Sequence, residues 1–175
     1  MIKAFNGKTP KIAESAFVSK AAYVIGDVEI GENSSVWPGA VIRGDLGKIK
    51  IGKNTVIEDN CVIHSGSPAS PPIMDVTIGD NVIIGHGAVS NGRRIGNNVL
   101  VSIKSTILHD AEIGDYSIIA AGCIVKEGMK IPDKSFVVGI PGEIKGEVSP
   151  KQMWWMQHSP QIYHELTQQY KKEGL

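Results

Sequence analysis

The chain of 175 residues carries 18 Lys and Arg against 18 Asp and Glu, so its formal net charge is zero. This balance argues against a nucleic-acid partner, which requires a basic excess. The length is sufficient for one domain, and no segment is long and apolar enough for a signal peptide or a membrane span. We therefore expect a cytoplasmic protein without a membrane partner.

A six-residue period organises most of the chain. After an extended segment at residues 1–14, aliphatic residues recur at Val18, Val24, Ile30, Val36 and Ile42. Residues 65–75 break the period with a Ser-, Gly- and Pro-rich run, which predicts a protruding loop. The period then returns with a superperiod of 18, through Ile95, Val101, Ile107, Ile113, Ile119, Val125 and Ile131. This pattern is typical of an all-β fold, the left-handed parallel β-helix, in which three flat strands make one turn.

The position two residues before each recurring aliphatic residue is mostly small, as expected near a corner of the coil. Examples are Val99, Ser105, Ala111 and Ser117. Cys61 and Cys123 lie in the same small slot, which indicates structural thiols in a reduced compartment.

A helical segment is predicted after the coil, so we divide the chain into residues 1–148 and 149–175. Ser149 is the expected N-cap, followed by Pro150 and by Gln152 as the capping-box partner. Ser159-Pro160 is expected to begin a second helical piece. Apolar residues that should cover the coil are Met153, Trp154, Trp155 and Met156, followed by Tyr163, Leu166 and Tyr170.

Two groups of polar residues are candidates for chemistry. Arg43 and Asp45 flank Gly44 and could form a bidentate ion pair, either within a site or across subunits. His64 directly follows the inward residue Ile63, and His86 lies two positions after the inward residue Ile84. Both imidazoles are therefore expected to point away from the core. Two imidazoles could bind zinc, although a catalytic zinc normally has three protein ligands and a water.

Three runs together resemble the γ-class carbonic anhydrase family. They are Val41-Ile42-Arg43-Gly44-Asp45, then Ile57-Glu58-Asp59-Asn60-Cys61-Val62-Ile63-His64, then Ile84-Gly85-His86-Gly87-Ala88-Val89. The order and spacing match, and the resemblance extends over almost the whole chain.

The resemblance implies a homotrimer with a metal between subunits. His64 corresponds to one of two ligands from one chain, and His86 to the ligand from its neighbour. Arg43 and Asp45 correspond to an interface ion pair, and Tyr163 to a tyrosine near the metal. Zinc, or another divalent metal, would lower the pKa of its bound water toward ~7, and the hydroxide would convert carbon dioxide to bicarbonate.

Four departures from the family pattern fall in one region. Asn91 stands where the family has the third His, and an amide is a weaker zinc ligand than imidazole. Glu58 replaces a Gln and could supply a carboxylate oxygen instead. Ser90 replaces an inward Leu, and Ser102-Ile103-Lys104-Ser105 replaces Gly-Met-Gly-Ala. His109 is a less favoured substitute ligand, because the expected register places Leu108 beside Asn91.

Three functions are therefore compatible with the sequence. The first is a γ-carbonic-anhydrase-like enzyme with a weak or empty metal site. The second is a binding or scaffold protein of the same family without that chemistry. The third is a coenzyme-A-dependent acyltransferase, which shares the coil and could use His109 or His158 as its base.

Overall fold

A computed structural model describes residues 1–66 and 75–175. In these residues, 20 strands and one helix form the predicted parallel β-helix with a C-terminal α-helix. The predicted loop at 65–75 lies mostly outside the described residues. The elements are β1 (Ile2–Lys3), β2 (Lys11–Ile12), β3 (Phe17–Val18), β4 (Tyr23–Ile30), β5 (Ser35–Val36), β6 (Val41–Ile51), β7 (Val56–Ile57), β8 (Val62–His64), β9 (Val76–Ile78), β10 (Ile83–Ile84), β11 (Val89–Ser90), β12 (Arg94–Ile95), β13 (Leu100–Val101), β14 (Thr106–Ile107), β15 (Glu112–Ile113), β16 (Ile118–Ile119), β17 (Ile124–Val125), β18 (Lys130–Ile131), β19 (Ser135–Val138), β20 (Glu143–Glu147) and α1 (Pro150–Lys172).

The strands lie on three faces. The face that packs against α1, called the helix face, contains β3, β5, β7, β10, β13, β16 and β19. The second face is called the valine face after the paired residues Val41, Val62 and Val89. It contains the first halves of β4 and β6, followed by β8, β11, β14 and β17. The charged face contains the second halves of β4 and β6, followed by β9, β12, β15 and β18. Because β4 and β6 run round a corner, the last two faces join into one 12-stranded sheet.

Buried aliphatic columns fill the coil, one column per face, as the six-residue period predicts. The aliphatic residues that recur every six positions from Ile95 to Ile131 are each at most 4% exposed. The two thiols also lie in the core, and burial raises the pKa of Cys61 to about 12. Both cysteines are therefore packing residues, since a protonated buried thiol is unreactive.

A stacked column of glycines explains why Ile-Gly recurs in the sequence. The corner between the charged and helix faces brings one rung against the backbone of the next. A Cβ at Gly52 would lie 2.6 Å from the Gly79 carbonyl oxygen, and a Cβ at Gly79 would lie 2.7 Å from that of Gly96. Only glycine fits such a close approach between rungs.

Ser90 interrupts the inward column of the valine face, where it pairs with Ile63 and Ile107. It is fully buried, and its hydroxyl accepts a 3.3 Å hydrogen bond from the Gly92 N–H. We expect Ser90→Leu to raise the free energy of unfolding by about 1 kcal/mol. Burying the Leu side chain contributes ~1.5–3 kcal/mol, whereas losing the hydrogen bond costs ~0.5–1.5 kcal/mol.

Urea unfolding of the Ser90→Leu variant tests this expectation. Ser105→Leu is the matched control, because Ser105 is also fully buried but lies in the small slot near a corner. The control should lose stability through overpacking. A loss of stability in Ser90→Leu as well would show that the column has no room for the larger side chain.

The C-terminal helix α1 is continuous, so the prediction of a second piece beginning at Ser159-Pro160 is wrong. Pro160 lies inside the helix and is buried, and the Ser159 hydroxyl donates a 2.8 Å hydrogen bond to the Trp155 carbonyl oxygen. The predicted cap is confirmed, because Ser149 and Gln152 form a reciprocal capping box. Packing against the coil keeps the helix intact across the proline.

The helix covers the helix face from one end of the coil to the other. Met156 packs against Ile118 and Val148 near the last rungs. Near the first rungs, Tyr163, Leu166 and Tyr170 pack against a cluster of Phe17, Trp37, Val56 and Ile83.

The two tryptophans of the helix differ in their relation to the coil. Trp154 is 60% exposed, so the prediction that it covers the coil is wrong. Trp155 is 49% exposed but lines a surface cleft with Leu100, Ile118 and Phe136, so it borders the helix face.

An antiparallel hairpin, which the sequence did not reveal, closes the C-terminal end of the coil. β19 continues the helix face and pairs with β20, with an irregularity between Phe136 and Val137.

No helix in residues 1–66 and 75–175 has the length and apolar character needed to cross a membrane.

Candidate functional site

The valine face carries a continuous outward column of mostly apolar side chains. Ladder pairing places its members directly beside one another, and each is only partly buried. The column consists of Tyr23, Val41, Val62, Val89, Thr106 and Ile124. The charged face instead presents outward residues such as Glu29, Lys50 and Arg94. An apolar column of this kind is typical of a surface that contacts another protein.

His64 ends β8 on this valine face and joins a polar network. Its Nε2 lies 3.0 Å from Asp45 Oδ1, and its Nδ1 lies 3.4 Å from Asn91 Nδ2. Arg43 donates a hydrogen bond to the other carboxylate oxygen of Asp45. One chain therefore brings together Arg43, Asp45, His64 and Asn91, and the ion pair forms within a single strand.

The charge of Asp45 determines which nitrogen of His64 carries hydrogen. Burial raises the pKa of Asp45, but hydrogen bonds from Arg43 and His64 outweigh this effect and hold the pKa below its usual value. An ionised carboxylate can only accept, so His64 donates through Nε2. The lone pair on its Nδ1 then faces the Asn91 amide.

His86 lies at the corner between the helix face and the valine face. Its Nε2 lies 3.1 Å from Glu58 Oε2, and its Nδ1 lies 3.0 Å from Asp59 Oδ2. Its backbone N–H also donates to Glu58 Oε2, at 2.8 Å. The imidazole is half-exposed and is held between two carboxylates of its own chain.

Glu58 connects His86 to the C-terminal helix. Its side chain is 6% exposed, and its Oε1 accepts a hydrogen bond from the Tyr163 hydroxyl. Burial, and then the hydrogen bond to Glu58, raise the pKa of Tyr163, so the phenol stays a donor. The structure thus brings Glu58, Tyr163 and His86 into one cluster.

The two histidines lie at opposite edges of the valine face. His64 and Asn91 follow the ends of β8 and β11, whereas His86 precedes the start of β11. In the described part of the chain, no hydrogen bond or ion pair joins one cluster to the other. Within the described part of one chain, the two imidazoles therefore belong to separate clusters.

The donor set does not fit a three-imidazole metal centre within one chain. Residues 1–66 and 75–175 contain no group of three His, Cys, Asp or Glu side chains arranged to hold a metal. At the position of the family's third His ligand, this chain has the amide of Asn91. In addition, both ring nitrogens of His64 have hydrogen-bond partners, and each ring nitrogen of His86 lies within 3.1 Å of a carboxylate oxygen.

Sequence reasoning missed Asp59, whereas the register that it expected at Asn91 is confirmed. Strand register pairs Ile57 with Ile84, which places Asp59 beside His86 two positions later. This register was the signal that could have identified the contact. Ser90 pairs with Ile107, which places Leu108, rather than the partly exposed His109, beside Asn91.

Comparisons with known proteins give one family model and clear relatives. The model described as bacterial transferase hexapeptide (six repeats) matches residues 9–44 and 94–127. The chain is 43% identical to the probable carbonic anhydrase of Methanocaldococcus jannaschii over 157 residues, which is 90% of this chain and 96% of that protein. It is 33% identical over 168 residues, 95% of this chain, to the mitochondrial gamma carbonic anhydrase 2 of Arabidopsis thaliana, and the match spans 60% of that protein's length.

A solved structure shares both fold and sequence with the chain. The hexapeptide transferase family protein from Anaplasma phagocytophilum superposes with a TM-score of 0.89 at 32% identity, covering 97% of each chain. The names of the similar proteins thus include carbonic anhydrases and transferases.

Proposed function

Because the chain belongs to the γ-class carbonic anhydrase family, we propose that it forms homotrimers with an interfacial site whose capacity for carbon dioxide hydration is impaired. The observation that carries this proposal is the contact between His64 Nδ1 and the Asn91 amide at 3.4 Å. An amide lies where a ligand nitrogen would be needed, and zinc binds amides much more weakly than imidazole.

The distribution of the two histidines supports the trimer. In a cyclic assembly, each copy meets its neighbour head to tail, so one edge of a face contacts the opposite edge of the next copy. Such packing would bring His86 of one chain near His64 of another. It would also cover the outward column of the valine face.

We expect Asn91→His to raise metal occupancy, and to produce or raise carbon dioxide hydration, relative to the native protein. The substitution adds a third neutral imidazole beside His64, and three protein ligands with one open position are the usual set of a catalytic zinc. The measurement combines zinc content per subunit with stopped-flow hydration of carbon dioxide. The native protein should hold little zinc, whereas the variant should approach one zinc per subunit.

His86→Ala in the Asn91→His background is the control, and it should abolish both gains. The proposal of an impaired site fails if native protein already holds one zinc per subunit and hydrates carbon dioxide rapidly. If Asn91→His gains neither metal nor activity, the binding or scaffold function becomes the better interpretation.

Coenzyme-A-dependent acyl transfer is the second candidate function. The arrangement that favours it is His86 between Glu58 and Asp59, because a carboxylate that orients an imidazole is typical of a general base. The alternatives named from the sequence are less suitable. His158 stacks on Trp154 with ring centroids 4.2 Å apart, and neither it nor His109 lies within 4 Å of a described carboxylate.

Several expectations from the sequence stay predictions. Glu58 and Tyr163 are proposed to act at the site, with Tyr163 holding Glu58 in place. Carbon dioxide or bicarbonate is the proposed small-molecule ligand, and zinc the proposed but weakly held metal. The cytoplasmic location also stays a prediction.

A further inference from the structure

We infer that Glu58 is a clamp that retains His86 within its own subunit and withholds it from the interfacial metal site, while Asp59 orients the same imidazole for binding. The inference rests on the proposed interfacial site. It concerns two adjacent carboxylates that contact the two nitrogens of one imidazole.

The two nitrogens of His86 have different roles in this arrangement. A metal-binding His usually donates its other ring N–H to a carboxylate, which fixes the orientation of the ring. Asp59, 3.0 Å from Nδ1, has this orienting position. Nε2 is then the nitrogen left for a metal, and Glu58 Oε2 occupies it at 3.1 Å.

Glu58 is fixed firmly enough to compete with a metal. It is buried, its Oε1 accepts from Tyr163, and its Oε2 also accepts from the His86 backbone N–H at 2.8 Å. A carboxylate held by other donors contacts Nε2 without further loss of conformational entropy. His86 must therefore leave a preformed contact in order to reach a neighbouring subunit.

The C-terminal helix anchors the clamp. The ring of Tyr163 lies 5.9 Å from that of Trp37, centroid to centroid, in the cluster that attaches the helix to the coil. Tyr170 lies in the same cluster, 5.0 Å from Trp37, but makes no described hydrogen bond to Glu58. Tyr163 is thus a positioning residue that acts through Glu58.

The test measures zinc affinity of Asn91→His trimers by titration against a competing chelator. Adding Glu58→Gln should tighten zinc binding about tenfold, because the amide still accepts from Tyr163 but holds Nε2 less strongly. Adding Asp59→Asn should weaken zinc binding about tenfold, as loss of an orienting carboxylate does. Opposite signs from neighbouring carboxylates are the signature of the clamp.

Phenylalanine substitutions separate the clamp from general packing. Tyr163→Phe keeps the ring but removes the hydroxyl, and should tighten zinc binding in the same direction as Glu58→Gln. Tyr170→Phe, the matched control in the same aromatic cluster, should leave zinc affinity unchanged. Equal effects of the two substitutions would overturn the role of Tyr163.

A measurement without metal keeps the inference independent of the proposed function. Carbethoxylation of His86 in the native protein, followed by mass spectrometry, should be several-fold faster in Glu58→Gln, with His158 as the internal control. Unchanged modification of His86 would overturn the clamp. Weaker zinc binding by Glu58→Gln would also overturn it and would make Glu58 a ligand, whereas failure of Asn91→His alone to bind zinc contradicts only the proposed function.

Discussion

Replacing Val62 with aspartate is expected to convert the proposed trimer into folded monomers. Val62 lies in the middle of the outward apolar column, between Val41 and Val89. In a trimer that covers this column, each interface would bury an unpaired carboxylate, which costs several kcal/mol. Light scattering should report a mass about three times lower than that of the native protein.

Thr77→Asp is the matched control for the Val62 substitution. Thr77 also points outward from a central rung, but it lies on the charged face and is exposed. Its replacement should leave the mass and the melting temperature unchanged. A native protein that is monomeric at micromolar concentration, or a Val62→Asp variant that stays trimeric, would show that subunits do not meet at the valine face.

Ile63→Ala, one residue further along, is expected to lower the free energy of unfolding by about 2–5 kcal/mol. Ile63 points inward and is fully buried between Ile42 and Ser90. The lost methyl groups leave a cavity, and the rigid ladder on both sides limits its collapse. Chemical unfolding followed by circular dichroism measures the change.

Ile103→Ala controls for the loss of an isoleucine as such. Ile103 is 48% exposed, so its truncation should change stability by less than about 0.5 kcal/mol. A cost for Ile63→Ala as small as that of the control would contradict the assignment of Ile63 to the core. The substitutions at Val62 and Ile63 thus distinguish an effect on assembly from an effect on folding stability at two neighbouring residues of one strand.

The coil was predictable because one physical rule repeats in it. Each rung must bury one aliphatic side chain per face, and the corner after Ile78 or Ile95 has no room for a Cβ. Such constraints appear in the sequence at a fixed period. Each constraint involves only a rung and the next rung of the coil.

The C-terminal segment was less predictable because its structure depends on tertiary contacts. Pro160 favours a break, yet the helix continues because its flanking residues pack on the coil. The exposure of Trp154 and Trp155 depends on the rotation of the helix about its axis, which hydrophobic composition alone does not define. β19 still follows the six-residue period, with Val137 buried six positions after Ile131, whereas β20 is exposed throughout and has no such period.

The candidate site was predictable in its members but not in its contacts. The motif identified His64, His86 and Asn91, and the register placed His64 beside Asn91. The position of Asp59 followed only from the 27-residue offset between β7 and β10, which the loop insertion obscures. Side-chain partners at a corner depend on such offsets and not on the period.

The helix that spans the coil has a consequence for synthesis of the protein. Phe17, in the first rung, obtains part of its cover from Tyr170, more than 150 positions later in the chain. Rungs can stack as they leave the ribosome, since each contacts mainly its neighbours. The apolar helix face nevertheless stays exposed to solvent until the last residues are made. An interrupted nascent chain therefore presents an exposed apolar surface that chaperones can bind.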